Sequence, residues 1–506
     1  MKYLHLKNLW LADGTTAPLR KSELLISCED GKICATDPSQ IGSAAGRVID
    51  LRNRVAAPGF IDVHGHSDLS IAAHPQAHGR VSQGVTCEIA GNCGLSAFPL
   101  TEKNREHLQK LYSKYHVELD WCDYSGYEKF MASRAPLCDV VALTGHNTLR
   151  AAVSGYENSE LNGRELEEAC RLLDNSLVSG SPGLSLGLLY VPGKFAGEDE
   201  LLSLFSTVAK HDKIVTCHLK SEGKRLCESI SEMLDLASKS GLKKFHISHF
   251  KTAGRDNFHK LDEALSLLDE AGAQGISVTF DRYPYVQSMT QLSLVLPDEW
   301  SDVDDVTITR RLQDNETAAR VIDELHTLRD EKYWQSVLLV NTPHPHYAWA
   351  KGAPLSMLGM DPAREVVEIL KYDSPQATAA FSGMSEKNMV KIICDHRCMP
   401  GSDGTALAPD GSLGTDHPRS YGAVAKFIRL LLDNNFSIEE SVYRTTGFAA
   451  SRFALSDRGC ITCGKVADIT VFDPDEIDGR AAFASPFEPA SGIKAVIRNG
   501  SVIYFN

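Results

Sequence analysis

The chain has 506 residues, 43% hydrophobic and 23% charged, with a formal net charge of −14. That length exceeds one ordinary core and predicts a large domain with a smaller companion. The acidic balance argues against nucleic acid as a partner, since phosphate binding needs a basic face, and no run is apolar and long enough to span a bilayer.

Met1–Leu6 alternates like a strand and lacks the apolar stretch of a signal peptide. Residues 1 to about 57 read as short strands and turns, including Glu23–Ser27 and Arg47–Leu51, with Asp30-Gly31 as a hairpin turn. The C-terminus is similar: Val466–Phe472 and Ala495–Ile503 are strand-like, with Asn499-Gly500 at a turn. Two β-rich ends can pair into one small domain, here residues 1–57 plus 464–506.

Residues 58–463 alternate strands and helices. Strands are expected at Val85–Ala90, Val140–Thr144, Gly183–Leu186, Ile214–His218, Lys244–Ser248 and Ser277–Phe280. Helices are expected at Glu165–Leu177, Glu198–His211, Lys224–Ser240 and His259–Ala271. Repeated βα units predict a parallel sheet, and their number suits a TIM-like (β/α)8 barrel. A charged, helix-rich stretch at about 290–345 breaks the rhythm and reads as an inserted subdomain, a lid or a solvated decoration. The 13 cysteines are scattered, which fits a reduced cytoplasm better than a disulfide framework. Cys460 and Cys463, like Cys394 and Cys398, are spaced for metal but lack obvious partner ligands.

Residues that suit a metal recur where strands are expected to end. Pro58–His66 is an apolar run closing on His64 and His66, which share one face of an extended strand. Cys93 follows the strand Val85–Ala90 between glycines, and its thiolate would be a strong zinc ligand able to bridge two ions. His218 and His249 each close a further strand, His246 lies mid-strand, and Asp403 sits in the turn Gly401–Gly404. Singly, such histidines are more often structural, and such an aspartate more often stabilises a turn. His146 follows a strand and is expected behind the ligands. His344 and His346 fall in a proline-containing loop and receive no metal role.

The order HxH, Cys, His, His, Asp resembles the amidohydrolase superfamily. The segments PGFIDVHGHSDL (58–69), EIAGNCGLS (88–96), CHLKSEG (217–223), ISHFKTAG (247–254), FDRYPY (280–285), GSDG (401–404), HPRSYGA (417–423) and GKVADITVFDP (464–474) look like its N-acyl-D-amino-acid deacylase (D-aminoacylase) branch. The resemblance implies a barrel, a β-sandwich built from both termini and an inserted subdomain. It implies one tightly bound Zn2+ on Cys93, His218 and His249, and a weaker site formed by His64, His66, Cys93 and Asp403. The fourth strand has no lysine to carry a bridging carbamate, and Cys93 supplies that negative charge instead. The implied chemistry is amide hydrolysis: zinc polarises the acyl carbonyl and activates water, and Asp403 takes the proton and delivers it to the departing amine.

The implied partner is a small-molecule N-acyl amino acid, and a homo-oligomer is compatible with this. Arg419 is the natural bidentate partner for its carboxylate, and the resemblance adds Lys251 and Tyr283. Each has a plainer reading: a surface arginine, a lysine paired with an acid, a packing tyrosine. One position departs from the branch. Met289 stands where a hydroxyl is expected, between Ser288 and Thr290. A dipeptidase, a cyclic-amide hydrolase or a non-catalytic oligomeric scaffold are the alternatives.

Overall fold

The computed structural model describes residues 2–41 and 46–506. Eight short strands succeed one another: Phe60–Asp62, Val85–Ala90, Asp139–Ala142, Gly183–Gly187, Ile214–His218, Lys244–Ile247, Ser277–Arg282 and Cys398–Pro400. Neighbours pair in parallel, and the third reaches the fourth through Thr144–Gly145. The ring closes where Val63 N donates to Pro400 O (3.0 Å) and Asp403 N to His64 O (2.6 Å). Strands two, four and five are buried on both faces, which is why the sequence shows near-continuous apolar runs instead of alternation.

The helices between strands present apolar stripes to this sheet. Those expected at Glu165–Leu177, Glu198–His211, Lys224–Ser240 and His259–Ala271 occupy Gly163–Val178, Glu198–Lys210, Leu226–Ser240 and Leu261–Ala273. Local chemistry sets their ends. Asn162 and Glu165 form a capping box, and Gly241, at φ +73°, stops its helix in the left-handed conformation. Among the described residues no helix is long and apolar enough to cross a membrane.

Both chain ends build one seven-stranded sheet. Its order runs Ser501–Phe505, Ile493–Arg498, Ile469–Phe472, Gly46–Pro58, Tyr3–Leu11, Arg20–Ser27, Ile33–Ala35. The sheet folds across itself: Ile33 N donates to Lys465 O (3.0 Å), and Leu6, Ile33, Val471 and Ile497 share a core. Alternate residues of Gly46–Pro58 face opposite ways, Ala56 into that core and Val55 and Ala57 toward the barrel. At the barrel interface the ring of Phe60 meets Phe472 edge-on at 5.8 Å.

After the seventh barrel strand the chain leaves for a separate unit. Gln287–Gln291, Val337–Asn341 and Thr378–Ser382 form an antiparallel sheet, with helices packed on a core that reaches from Leu292 to Ala379. The insertion expected at about 290–345 is the first part of this unit. The helix Pro362–Asp373 and the strand Thr378–Ser382 complete it, and their ordinary amphipathic patterns gave no break in rhythm. Because Phe472 is fully buried at the junction of sheet and barrel, Phe472→Ala is expected to cost about 3–5 kcal/mol of stability in urea unfolding.

Candidate metal centre

All six candidate donors stand at the carboxyl ends of barrel strands, where the loops of this architecture carry chemistry. His64 and His66 follow the first strand, Cys93 the second, His218 closes the fifth, His249 follows the sixth and Asp403 the eighth. Three of them are held in left-handed backbone: Cys93 at φ 52°, His249 at 37° and Asp403 at 50°. Such conformations cost a non-glycine residue about 1–3 kcal/mol and persist where the surroundings over-determine them. The loop of Cys93 shows how. Gly94, at φ +79°, lies so close to Asn147 that a Cβ would fall 2.3 Å from its Oδ1, and the Gly94 nitrogen donates to Ser185 Oγ at 3.1 Å.

These side chains converge in two groups that share one sulfur. Cys93, His218 and His249 form one, and His64, His66, Cys93 and Asp403 the other; within each group the donor atoms lie within 4.8 Å of one another. Cys93 Sγ is 3.4 Å from His64 Nε2 and 3.5 Å from His249 Nε2. His249 Nε2 is 3.0 Å from His218 Nδ1. Asp403 Oδ1 is 3.0 Å from His66 Nε2 and 3.6 Å from His64 Nε2. Donors around a tetrahedral zinc at bond lengths of ~2.0–2.3 Å stand about 3.3–3.8 Å apart, so the sulfur and its imidazoles already have nearly that spacing. One thiolate with imidazoles is also a donor set that zinc favours. The residues fit the ion.

Carboxylates stand behind the imidazoles. Asp281 Oδ1, fully buried, accepts from His64 Nδ1 (3.0 Å) and from His246 Nε2 (2.9 Å). Glu222 Oε1 lies 2.9 Å from His249 Nδ1. A carboxylate only accepts, so Asp281 holds a proton on His64 Nδ1 and leaves Nε2 as the nitrogen that can give up its proton and ligate. Burial alone would raise the Cys93 thiol. The charges of His64 and His249, with hydrogen bonds from His218 and His249, outweigh it and hold the thiol well below its ordinary range. Burial likewise opposes the charge on Asp403, and the Arg419 guanidinium and His249 overcome it, keeping that carboxyl well below the usual carboxylate range.

The three residues expected to contact substrate are all buried, and two of them meet the candidate donors directly. Arg419 is fully buried, not a surface arginine; its Nη1 lies 2.7 Å from Asp403 Oδ2, and its Nε has no hydrogen-bond partner among the described residues. The Tyr283 ring lies between two guanidinium groups, 4.2 Å from Arg282 and 4.7 Å from Arg419, with its hydroxyl unpartnered. Lys251 realises the plainer reading as well, pairing with Glu222 while its Nζ lies 2.8 Å from His249 Nδ1. At the departing position Met289 offers backbone instead: its carbonyl accepts from Arg419 Nη2 at 3.5 Å. Thr290 Oγ1 lies 3.4 Å from the Tyr190 hydroxyl, and the Tyr190 ring 5.1 Å from that of His218.

Other histidines turn elsewhere. His146 bonds Glu200 at 2.8 Å behind the barrel wall, and His344 accepts from His346 N to cap a short helix. Cys460 and Cys463 bond the carbonyls of Gly14 and Cys34. Sequence reasoning passed over Tyr190, and also Asp281 and Glu222, although these two lie in segments already matched to the branch. An acid just past or within a strand end was the available signal for both acids.

A model described as the amidohydrolase family matches residues 47–154. The N-acyl-D-glutamate deacylase of Alcaligenes xylosoxydans xylosoxydans is 29% identical over 98% of this chain and 92% of its own length. The D-aminoacylase of the same organism is 28% identical over 98% and 93%. The crystal structure of N-acyl-D-glutamate deacylase from Bordetella bronchiseptica, complexed with zinc and a phosphonate inhibitor, superposes with a TM-score of 0.82 at 27% identity, covering 99% of this chain and 96% of that one. In its closed barrel, its order of donors and these likenesses, the chain resembles the metal-dependent hydrolases of the amidohydrolase superfamily, and among them the D-aminoacylases.

Proposed function

We propose that this chain hydrolyses the amide bond of N-acyl-D-amino acids, releasing a carboxylate and a free D-amino acid. The observation that carries the reading is the placing of Asp403 between two partners: one oxygen turns to the metal donors and the other to the buried Arg419. Cys93, His218 and His249 would hold a zinc ion tightly, and His64, His66, Cys93 and Asp403 a second one weakly. A zinc ion bound there supplies a Lewis acid for the acyl carbonyl and makes water acidic enough to attack.

Asp403 does the proton work. Held ionised by Arg419, it is a base at neutral pH; it accepts the proton of the attacking water and returns it to the leaving nitrogen. Arg419, Tyr283 and Lys251 bind the free carboxylate of the substrate. Their donors are desolvated and partly unpartnered, so an anion gains charge-assisted hydrogen bonds there that water had not supplied. The names of the relatives support a D-amino acid product.

Four measurements test this. On a panel of N-acetyl-D- and N-acetyl-L-amino acids, turnover of D-compounds is expected. Asp403→Asn should lower kcat about 10²–10⁴-fold with little change in KM; hydrolysis of L-compounds alone, or undiminished turnover by the variant, overturns the reading. Arg419→Lys keeps the charge but loses the planar fork, and should raise KM about 10–100-fold, the cost of one or two charged hydrogen bonds. Cys93→Ser should leave a folded protein that no longer retains zinc through gel filtration, read by elemental analysis; full zinc retention would exclude the sulfur from the site.

A further inference from the structure

A second layer of the molecule lies beneath the His66–Asp403 side of the site and bonds the backbone around it, not the six donor side chains. Arg80, on the short helix His78–Val81, is completely buried. Its Nε donates to Glu88 Oε2 at 2.5 Å, its Nη1 to the Ser420 carbonyl at 2.9 Å, and its Nη2 to the Gly404 carbonyl at 2.8 Å and to Ser67 Oγ at 3.4 Å. Glu88, in the second strand, in turn accepts from Ser67 N (2.9 Å) and Ser67 Oγ (2.8 Å). Ser67, Gly404 and Ser420 each stand one residue beyond a side chain of the site: His66, Asp403 and Arg419. The neighbouring Asp62 continues the pattern, its Oδ1 accepting from His64 N at 3.2 Å and from Ser402 N at 2.8 Å.

We propose that Arg80, seated on Glu88, is the positioning residue that fixes His66, Asp403 and Arg419 relative to one another. The inference rests on the function proposed above and assigns the parts of that site to two supports. Arg80 reaches the second strand through Glu88, but residues 91–94, 216–219 and 246–250, which carry Cys93, His218 and His249, receive no hydrogen bond from it among the described residues. The first donor group is therefore set chiefly by its own loops, and the proton shuttle with Arg419 is set by one guanidinium. The chemistry of arginine suits the task. Its planar fork donates in fixed directions to Glu88, Ser67 and two carbonyls, from four separate segments at once, which the single ammonium of lysine cannot do. The buried charge is compensated by Glu88, with Asp62 Oδ2 at 3.6 Å, so removing it would strand carboxylates in the core.

For that reason Arg80→Met is expected to unfold, and the informative variant is Arg80→Lys, which keeps the charge and loses the fork. Hydrogen–deuterium exchange on the metal-free protein should show faster exchange at residues 64–68, 402–407 and 418–422, with 91–94, 216–219 and 246–250 unchanged. Glu88→Gln, which leaves Arg80 in place, should produce a smaller change in the same three segments. In the zinc-loaded enzyme Arg80→Lys should lower kcat on the order of 100-fold, the effect of a displacement of about 1 Å in a catalytic group, and should raise KM through Arg419. A uniform rise in exchange across the barrel, or a folded Arg80→Lys with unaltered exchange, kcat and KM, would overturn the proposal. If the unmodified enzyme turns over no N-acyl-D-amino acid, the proposed activity fails, while the exchange pattern still decides the role of Arg80.

Discussion

A single buried sulfur organises this molecule. A thiolate sealed inside protein is unfavourable unless positive charge faces it, and Cys93 meets that requirement with imidazoles drawn from three separate strand ends. Those imidazoles reach it from the ends of the first, fifth and sixth strands. The backbone follows: Cys93, His249 and Asp403 all adopt left-handed angles that only a closed, tightly packed ring of strands would sustain.

The carboxylates behind the histidines are as necessary as the histidines. An imidazole offers a lone pair on one nitrogen only when its proton is claimed on the other. Asp281 makes that choice for His64. Glu222 Oε1 lies beside both His249 Nδ1 and Lys251 Nζ, so one oxygen serves an imidazole of the candidate centre and a neighbouring cation. In the function proposed, metal affinity and carboxylate recognition would not be independent, and a change at Glu222 would be felt by both.

Much of this was legible in the sequence. The βα alternation gave the barrel because strands buried on both faces, separated by amphipathic helices, have few other solutions. The Asn499-Gly500 turn gave its hairpin because both residues take positive φ there, 47° and 74°. What escaped notice had a physical reason. Glu222 and Asp281 look like ordinary polar residues until the fold sets them beside histidines. Arg80 acts through the carbonyls of residues hundreds of positions away, and a backbone carbonyl leaves no trace in a sequence. The far half of the insertion escaped because Pro362–Asp373 is a helix like any other, and only the pairing of Thr378–Ser382 with Gln287–Gln291 assigns it away from the barrel.

That pairing bears on substrate choice. The strand Gln287–Gln291 is at once an edge of the insertion's sheet and a wall of the site, reaching Arg419 with the Met289 carbonyl and Tyr190 with the Thr290 hydroxyl. A hydroxyl side chain at position 289 would offer the substrate a donor; here methionine stands there, and the backbone offers Arg419 an acceptor instead. Cations of the barrel and one carbonyl of the insertion therefore meet at Arg419. In the function proposed, selectivity among N-acyl amino acids would be set at this seam between the two units, whereas the candidate metal donors belong to the barrel alone.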